Sequence, residues 1–438
     1  VQMAVARVTQ LEPLEKMTFP VTKAALVIGG GVAGMEAARS IADMGFKAYL
    51  VEKGDQLGGQ ARNLVVSSRG HDYQGYLDDL IKQVEAHPEI EILFNSTVKD
   101  PSGFVGNFST VVGTPEGEQT IEHGVTILAT GGTPYQPEEY LYGQNPKVFT
   151  SFELDKLIAA QDPKVKGANQ AVFIQCVGSR EPQRPYCSRL CCTHSVDAAI
   201  ELKRLKPEMD VFILYRDLRT YGEKELLYKE ARELGVVFIR FDLDSKPQVE
   251  QTANGDLLLT ITDPILDRSV VLKPDLLTLA SAVLPSPTEE LGELFKVSRN
   301  AEGFFAEAHA KLRPVDFATD GIFMAGLAHY PKPLDESIAQ AKAAAGRAAT
   351  VLALAQVEVE PIVSMVDQSL CIGCGLCEAS CPFGAIRLVE VPGKGWRAEN
   401  ISALCKGCGI CAAGCPYRAI DMAHFRDKQI LAYINMAA

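Results

Sequence analysis

Twelve cysteines fall in three tight groups along a chain of 438 residues. Cys371, Cys374, Cys377 and Cys381-Pro382 form a C-x2-C-x2-C-x3-C-P run, and Cys405, Cys408, Cys411 and Cys415-Pro416 repeat it. In such runs three closely spaced thiolates wrap one 4Fe–4S cluster, and the fourth crosses to a second cluster. The spacing therefore assigns Cys371, Cys374, Cys377 and Cys415 to one cluster and Cys405, Cys408, Cys411 and Cys381 to another. The glycines between them let amide N–H groups approach the sulfurs. Zinc sites seldom show a doubled triplet followed by Cys-Pro. The repeat is wider than its ligands, since 367–386 matches 401–420 at a constant offset of 34.

The third group is Cys176, Cys187, Cys191 and Cys192, spaced C-x10-C-x3-C-C. It follows a buried run at 171–175, where a nicotinamide-binding unit would carry its glycine turn. The sequence there is instead Ile174-Gln175-Cys176-Val177-Gly178-Ser179-Arg180. Four thiolates in place of a phosphate cradle suit a third 4Fe–4S cluster. The spacing alone also admits buried structural cysteines or a zinc site.

A separate motif binds phosphate. Gly29-Gly30-Gly31-Val32-Ala33-Gly34 supplies G-x-G-x-x-G between an expected strand and helix. Gly29 permits the tight turn, Gly31 the approach of a pyrophosphate, and Gly34 close packing of helix on strand. Glu52 ends the next strand, 23 residues after Gly29, where it can bond a ribose 2′-hydroxyl. That favours FAD or NAD over NADP.

Around these motifs the hydrophobic pattern predicts α/β structure. Strand 25–28, helix 32–44 and strand 48–52 form a βαβ unit, followed by helix 73–85 and strands 90–94 and 125–129. A second unit has strand 171–175, helix 195–205, strand 211–215, helix 222–234 and strand 236–241. Residues 245–275 alternate as in a small antiparallel sheet. Strands 276–280 and 321–325 and an Ala-rich helix at 336–354 follow, and Pro361 marks a linker. Val1, Val5, Val8 and Leu11 have helical spacing that Pro13 ends, so the first residues are expected to be the tail of a helix from a longer polypeptide.

Several further segments resemble the flavin domain of two-dinucleotide-domain flavoproteins of the thioredoxin reductase type. They are Lys53, Leu57-Gly58-Gly59-Gln60, Ala129-Thr130-Gly131, Gly321–Gly326 and Ser337-Ile338-Ala339-Gln340. The resemblance implies FAD, held by a domain split by an inserted nucleotide domain. The family usually has Asp after the glycine at 326; here it is Leu327, so one ribityl contact is missing. Cys176–Arg180, 185–189, Cys191-Cys192, 312–316, 326–329 and 335–345 resemble the A-type subunit of heterodisulfide reductase. That resemblance implies a third cluster on Cys176, Cys187, Cys191 and Cys192 close to the flavin. Many members carry Lys five residues after Cys192, where this chain has Asp197; a carboxylate there opposes a reduced, anionic flavin and hence electron bifurcation. His194, beside the cysteines, reads as an ordinary packing histidine before a tuning residue.

The implied architecture is a thioredoxin-reductase-like α/β flavoprotein with a C-terminal α+β ferredoxin domain. Its FAD domain is expected in two segments, 21–148 and 281–355, on either side of an inserted cluster-bearing region (149–280). A helix end and linker (1–20) precede them; a two-cluster ferredoxin domain (361–425) and a tail (426–438) follow. The net charge of −12 argues against nucleic-acid binding. No apolar run reaches the ~18–20 residues of a membrane span, and no basic-then-apolar leader is present; the resemblance to heterodisulfide reductase A-type subunits implies a cytoplasmic, anaerobic complex. The expected function is electron relay, with bifurcation as a further branch, among one FAD, three 4Fe–4S clusters and partners in an anaerobic complex. The partners that the resemblance implies are ferredoxin, B- and C-type subunits, and a hydrogenase or formate dehydrogenase module. The competing readings are a self-sufficient NAD(P)H-oxidising flavoprotein and a metal-stabilised scaffold without redox function.

Overall fold

The computed structural model of the chain describes residues 1–359 and 361–436. Two parallel five-stranded sheets carry most of it. The first has the order Ile322–Met324, Val125–Leu128, Ala24–Ile28, Lys47–Val51, Ile90–Leu93. The second has the order Val148–Thr150, Leu276–Ser281, Gln170–Val177, Asp210–Tyr215, Val237–Arg240. In each, the strand that would lead into a glycine turn lies at the centre. Its loop leaves the carboxyl edge, where α/β folds bind ligands.

Both sheets are covered on two faces, so their central strands are largely apolar, with the buried Gln175 an exception in Gln170–Val177. In Ala24–Ile28, Ala25 and Val27 face helices Val32–Asp43 and Leu334–Leu352. Leu26 and Ile28 face the opposite layer, where Val98, Phe108, Val112 and Ile121 belong to a three-stranded antiparallel sheet. Gln170–Val177 divides the same way. Ala171 and Phe173 meet helix Cys191–Leu205, while Val172 and Ile174 meet the antiparallel strands Gln248–Gln251, Leu257–Asp263 and Arg268–Leu272.

The chain leaves the first unit through Gly132–Pro134 and returns through Val283–Pro285, and these two crossings pair antiparallel. The C-terminal unit is built from Ser364–Val366 paired with Ile420–Met422, and Ile386–Val391 paired with Gly395–Asn400. Among the described residues no helix is long and apolar enough to cross a membrane.

Several elements differ from the sequence reading. The first helix is only Gln2–Val8, and the stretch read as linker contains strand Met17–Pro20, paired with Gln356–Val359. Residues 97–123, unassigned from sequence, form the antiparallel sheet Thr97–Phe104, Asn107–Thr114, Gly117–His123. The helix expected from 195 begins at Cys191. The stretch read as a C-terminal tail is helix Asp427–Asn435 over most of its length, packed on Gln2–Val8. Glu12 anchors this contact through Lys428 at 2.6 Å and Arg426 at 3.1 Å. Residues 437–438 of that stretch lie outside the described residues.

Candidate functional site

The turn after Ala24–Ile28 is where the segments expected to touch the dinucleotide meet. Gly29 has φ +112°, and a Cβ there would stand 2.3 Å from the Ala129 carbonyl oxygen. On Gly34 a Cβ would stand 1.8 Å from the Gly29 carbonyl oxygen, so helix and strand touch through bare backbone. On Gly31, by contrast, it would meet nothing within 4 Å. Gly31 also caps helix Val32–Asp43 without any side-chain bond to the helix amides. Open space over an uncapped helix N-terminus fits a pyrophosphate.

The remaining segments close on this turn. The Gly58 N–H donates to the Gly30 carbonyl at 2.8 Å, and Gly59 would place a Cβ 3.2 Å from the Gly31 Cα. A Cβ on Gly326 would come within 2.7 Å of the Ala33 Cβ. Glu52 accepts N–H bonds from Gly30 at 2.6 Å and Gly54 at 2.7 Å, bracing both loops. Each oxygen keeps a further lone pair for a ribose hydroxyl. Thr130 contributes a buried Oγ1 with no partner, an orphan of the kind a bound ligand satisfies, and Gly131 follows it. Ser337 is buried in the first turn of helix Leu334–Leu352. Gln340 accepts the Gly326 N–H at 3.0 Å and meets His329, which in turn bonds Glu307. Lys53 is exposed. Leu327 packs beside Gly132, an apolar contact where related flavoproteins are expected to place a carboxylate.

The second unit replaces a phosphate turn with thiols. Cys176 has φ +61° beside an irregularity in strand Gln170–Val177, which breaks the ladder at this residue. Cys191 and Cys192 open helix Cys191–Leu205, and the hydrogen bond between them, with burial, pushes the Cys191 thiol up. Burial pushes the Cys176 thiol up, while Cys192 is pulled down to about 7, chiefly by a hydrogen bond from Cys191. Arg180 and Arg219 add positive potential there. The Arg189 N–H donates to Cys187 Sγ at 3.3 Å.

Two neighbours of these cysteines are engaged elsewhere. The Asp197 carboxylate accepts the Ser68 amide at 3.2 Å and the Ser68 hydroxyl, while Arg204 donates to the Ser68 carbonyl. Asp197 thus fastens the loop after Gly59–Asn63, and burial raises its pKa. His194 bonds the buried Asp155 at 2.6 Å and packs against Phe152, in keeping with a packing histidine.

The C-terminal unit carries two small cavities, each partly open to solvent. One is lined by Cys371, Cys374, Cys377 and Cys415. The other is lined by Cys405, Cys408, Cys411 and Cys381. Each gathers the triplet of one run and the fourth cysteine of the other. Amides point at the sulfurs with the same pseudo-symmetry: Ala385 to Cys381 at 3.2 Å and Ala419 to Cys415 at 3.4 Å. Ala398 donates to Cys371 at 3.3 Å and Ser364 to Cys405 at 3.5 Å. N–H groups aimed at thiolate favour its charge, so this donor set fits iron–sulfur clusters. Among the described residues no three His, Cys, Asp or Glu side chains converge as for one metal ion; the thiols surround a space. Spacing and glycine content point to the ligands but not to these amides. The offset of the internal repeat, applied to Ala385 and Ala419, is the one sequence signal that would find a pair of them.

Comparison with known proteins gives a consistent result. Residues 364–422 match a 4Fe-4S dicluster domain, and residues 23–174 match the pyridine nucleotide-disulphide oxidoreductase family. The Lactococcus lactis thioredoxin reductase structure shares the fold at TM-score 0.51 and 18% identity, over 76% of this chain and 99% of that one. The chain is 36% identical to an iron–sulfur A-type subunit of CoB–CoM heterodisulfide reductase from Methanopyrus kandleri, over 90% of this chain and 74% of that protein. It is also 36% identical to the A-type subunit of the H(2):CoB-CoM heterodisulfide,ferredoxin reductase of Methanothermobacter thermautotrophicus, over 100% of this chain and 79% of that protein. An FAD-binding fold joined to a dicluster domain makes the chain an oxidoreductase that serves electron transfer within a larger redox complex. It belongs to the family of heterodisulfide reductase A-type subunits.

Proposed function

We propose that the chain relays electrons among one FAD, three 4Fe–4S clusters and the other subunits of a cytoplasmic, anaerobic heterodisulfide-reductase-like complex. Cys371, Cys374, Cys377 and Cys415 hold one cluster, and Cys405, Cys408, Cys411 and Cys381 the second. Cys176, Cys187, Cys191 and Cys192 hold the third. The observation that carries this reading is the pair of thiol-lined cavities, each completed by a cysteine from the other run.

When bound, FAD supplies paired-electron chemistry and the clusters single-electron transfer. The chain's own contribution is placement. Gly31 and the helix behind it receive the pyrophosphate, and Glu52 the ribose. Thr130, Gly131, Gly326, Ser337 and Gln340 border the rest of the nucleotide. The external partners are ferredoxin, which the name of the Methanothermobacter relative includes, and B- and C-type subunits. A hydrogenase or formate dehydrogenase module is a further partner in this reading. Support for a relay over an NAD(P)H oxidase is that strand Gln170–Val177 runs through Cys176 where a second nucleotide would need glycine.

Anaerobic titration of the reconstituted chain tests this. Reduced ferredoxin or dithionite should bleach the flavin, whereas NADH and NADPH should leave it oxidised. Rapid bleaching by either nicotinamide would favour the self-sufficient flavoprotein. A colourless preparation containing zinc would favour the scaffold.

A further inference from the structure

Lys332 is the one lysine among the described residues that the fold buries, at 7% exposure. It lies two residues before helix Leu334–Leu352, on the loop that follows Gly326. Its Nζ donates to the Gly326 carbonyl at 2.6 Å and the Tyr330 carbonyl at 2.7 Å. An ammonium has three donors, so one remains after these two. No carboxylate among the described residues pairs with it. Buried charge without a counter-ion is costly.

The charged groups facing it are already committed. Arg189, from the cysteine loop, reaches Glu336 at 3.0 Å and the Pro331 carbonyl at 3.4 Å. Glu336 also accepts from Tyr221 at 2.7 Å. Asp335 lies 3.6 Å from Lys224, and Glu307 bonds His329 at 2.9 Å. The acidic residues of the first helical turn are thus held by cations of the second unit. What they leave beside Gly326 is Lys332 without a carboxylate partner and the positive amino end of a 19-residue helix. Burial, with Arg189 adding to it, pulls the Lys332 pKa down to about 7.

We propose that Lys332 supplies the positive charge that stabilises reduced FAD, taking up a proton as the ring is reduced. The proposal rests on the reading that FAD lies against Gly31 and Gly326. Two one-electron transfers from a low-potential donor, such as a reduced iron–sulfur protein, together with one proton from solvent, would reduce the isoalloxazine. The reduced ring then carries one negative charge. A neutral Lys332 amine takes a second proton from solvent, and the ammonium balances that charge. Asp197 is held by the Ser68 amide and hydroxyl.

The test is the flavin midpoint potential of the reconstituted chain against pH, read from flavin absorbance under argon. Between about pH 7.5 and 9, above the lowered lysine pKa, the wild-type flavin should take up two protons per two electrons. Lys332→Gln should take up one, with a midpoint more negative by at least about 30 mV at pH 7.5, a tenfold change for a two-electron couple. Lys332→Arg should keep the higher potential but take up only one proton, since arginine does not titrate. A lysine that merely ties two carbonyls would leave the wild type at one proton and both variants unchanged, and that result overturns the proposal. Should the glutamine variant lose FAD, the wild-type slope and the arginine variant decide. Absence of FAD from the wild type would instead refute the nucleotide reading on which the proposal stands.

Discussion

Changing Cys415→Ser should strip iron from the cysteines at the other end of the C-terminal unit. The variant should lose about four irons and four sulfides, one cluster's worth, and one reduced-cluster EPR signal. Anaerobic alkylation followed by peptide mass mapping should then label Cys371, Cys374 and Cys377, while Cys405, Cys408 and Cys411 stay protected. The reason is geometric: Cys415 lines the same cavity as the first triplet, 38 residues or more away in sequence. Cys381→Ser should give the reciprocal pattern, because Cys381 lines the cavity of the second triplet. If Cys415→Ser exposed Cys405, Cys408 and Cys411 instead, each run would close on itself and the crossed arrangement would be wrong. The remaining cluster should survive, since its own four thiols and the amides of Ala385 and Ser364 are untouched.

The second large effect separates binding from folding at two glycines of one turn, Gly31 and Gly34. A methyl on Gly34 would collide with the Gly29 carbonyl, so helix Val32–Asp43 must lift off its strand. Overpacking of this kind costs about 1–3 kcal/mol. Gly34→Ala should lower the melting temperature of the FAD-free chain as well as its FAD content. A methyl on Gly31 meets no protein atom, so Gly31→Ala should leave the melting temperature of the FAD-free chain unchanged. It should nevertheless weaken FAD by at least tenfold, about 1.4 kcal/mol, because the added group occupies space the pyrophosphate needs. Iron content should not change in Gly31→Ala. Equal FAD affinity in Gly31→Ala and wild type would place the nucleotide elsewhere.

Chemistry is easier to read from this sequence than tertiary pairing. The cysteine runs declare themselves because cluster ligation demands fixed local spacing, and the three roles of Gly29, Gly31 and Gly34 follow from a single tight turn. Parallel strands such as Ala24–Ile28 are legible because both their faces are buried. The antiparallel sheet at 97–123 is not. Strand Thr97–Phe104 contains Asp100, Pro101 and Gly103, and an irregularity between Val98 and Asp100 breaks its alternation. Met17–Pro20 is hidden for another reason, since its partner Gln356–Val359 lies more than 300 residues away. Lys332 does not stand out because lysine is ordinarily exposed, and its burial shows only in the fold. Asp197 reads from the sequence only as a carboxylate near the flavin, and its bonds to the Ser68 amide and hydroxyl become visible only in the fold.

Quantification of iron, acid-labile sulfide and flavin in one anaerobically reconstituted preparation bears most directly on the redox content of this chain. The proposed arrangement requires about twelve irons, twelve sulfides and one FAD per polypeptide, four irons for each set of four thiols. About eight irons with one FAD would contradict a cluster on Cys176, Cys187, Cys191 and Cys192, and iron without any flavin would contradict the relay itself.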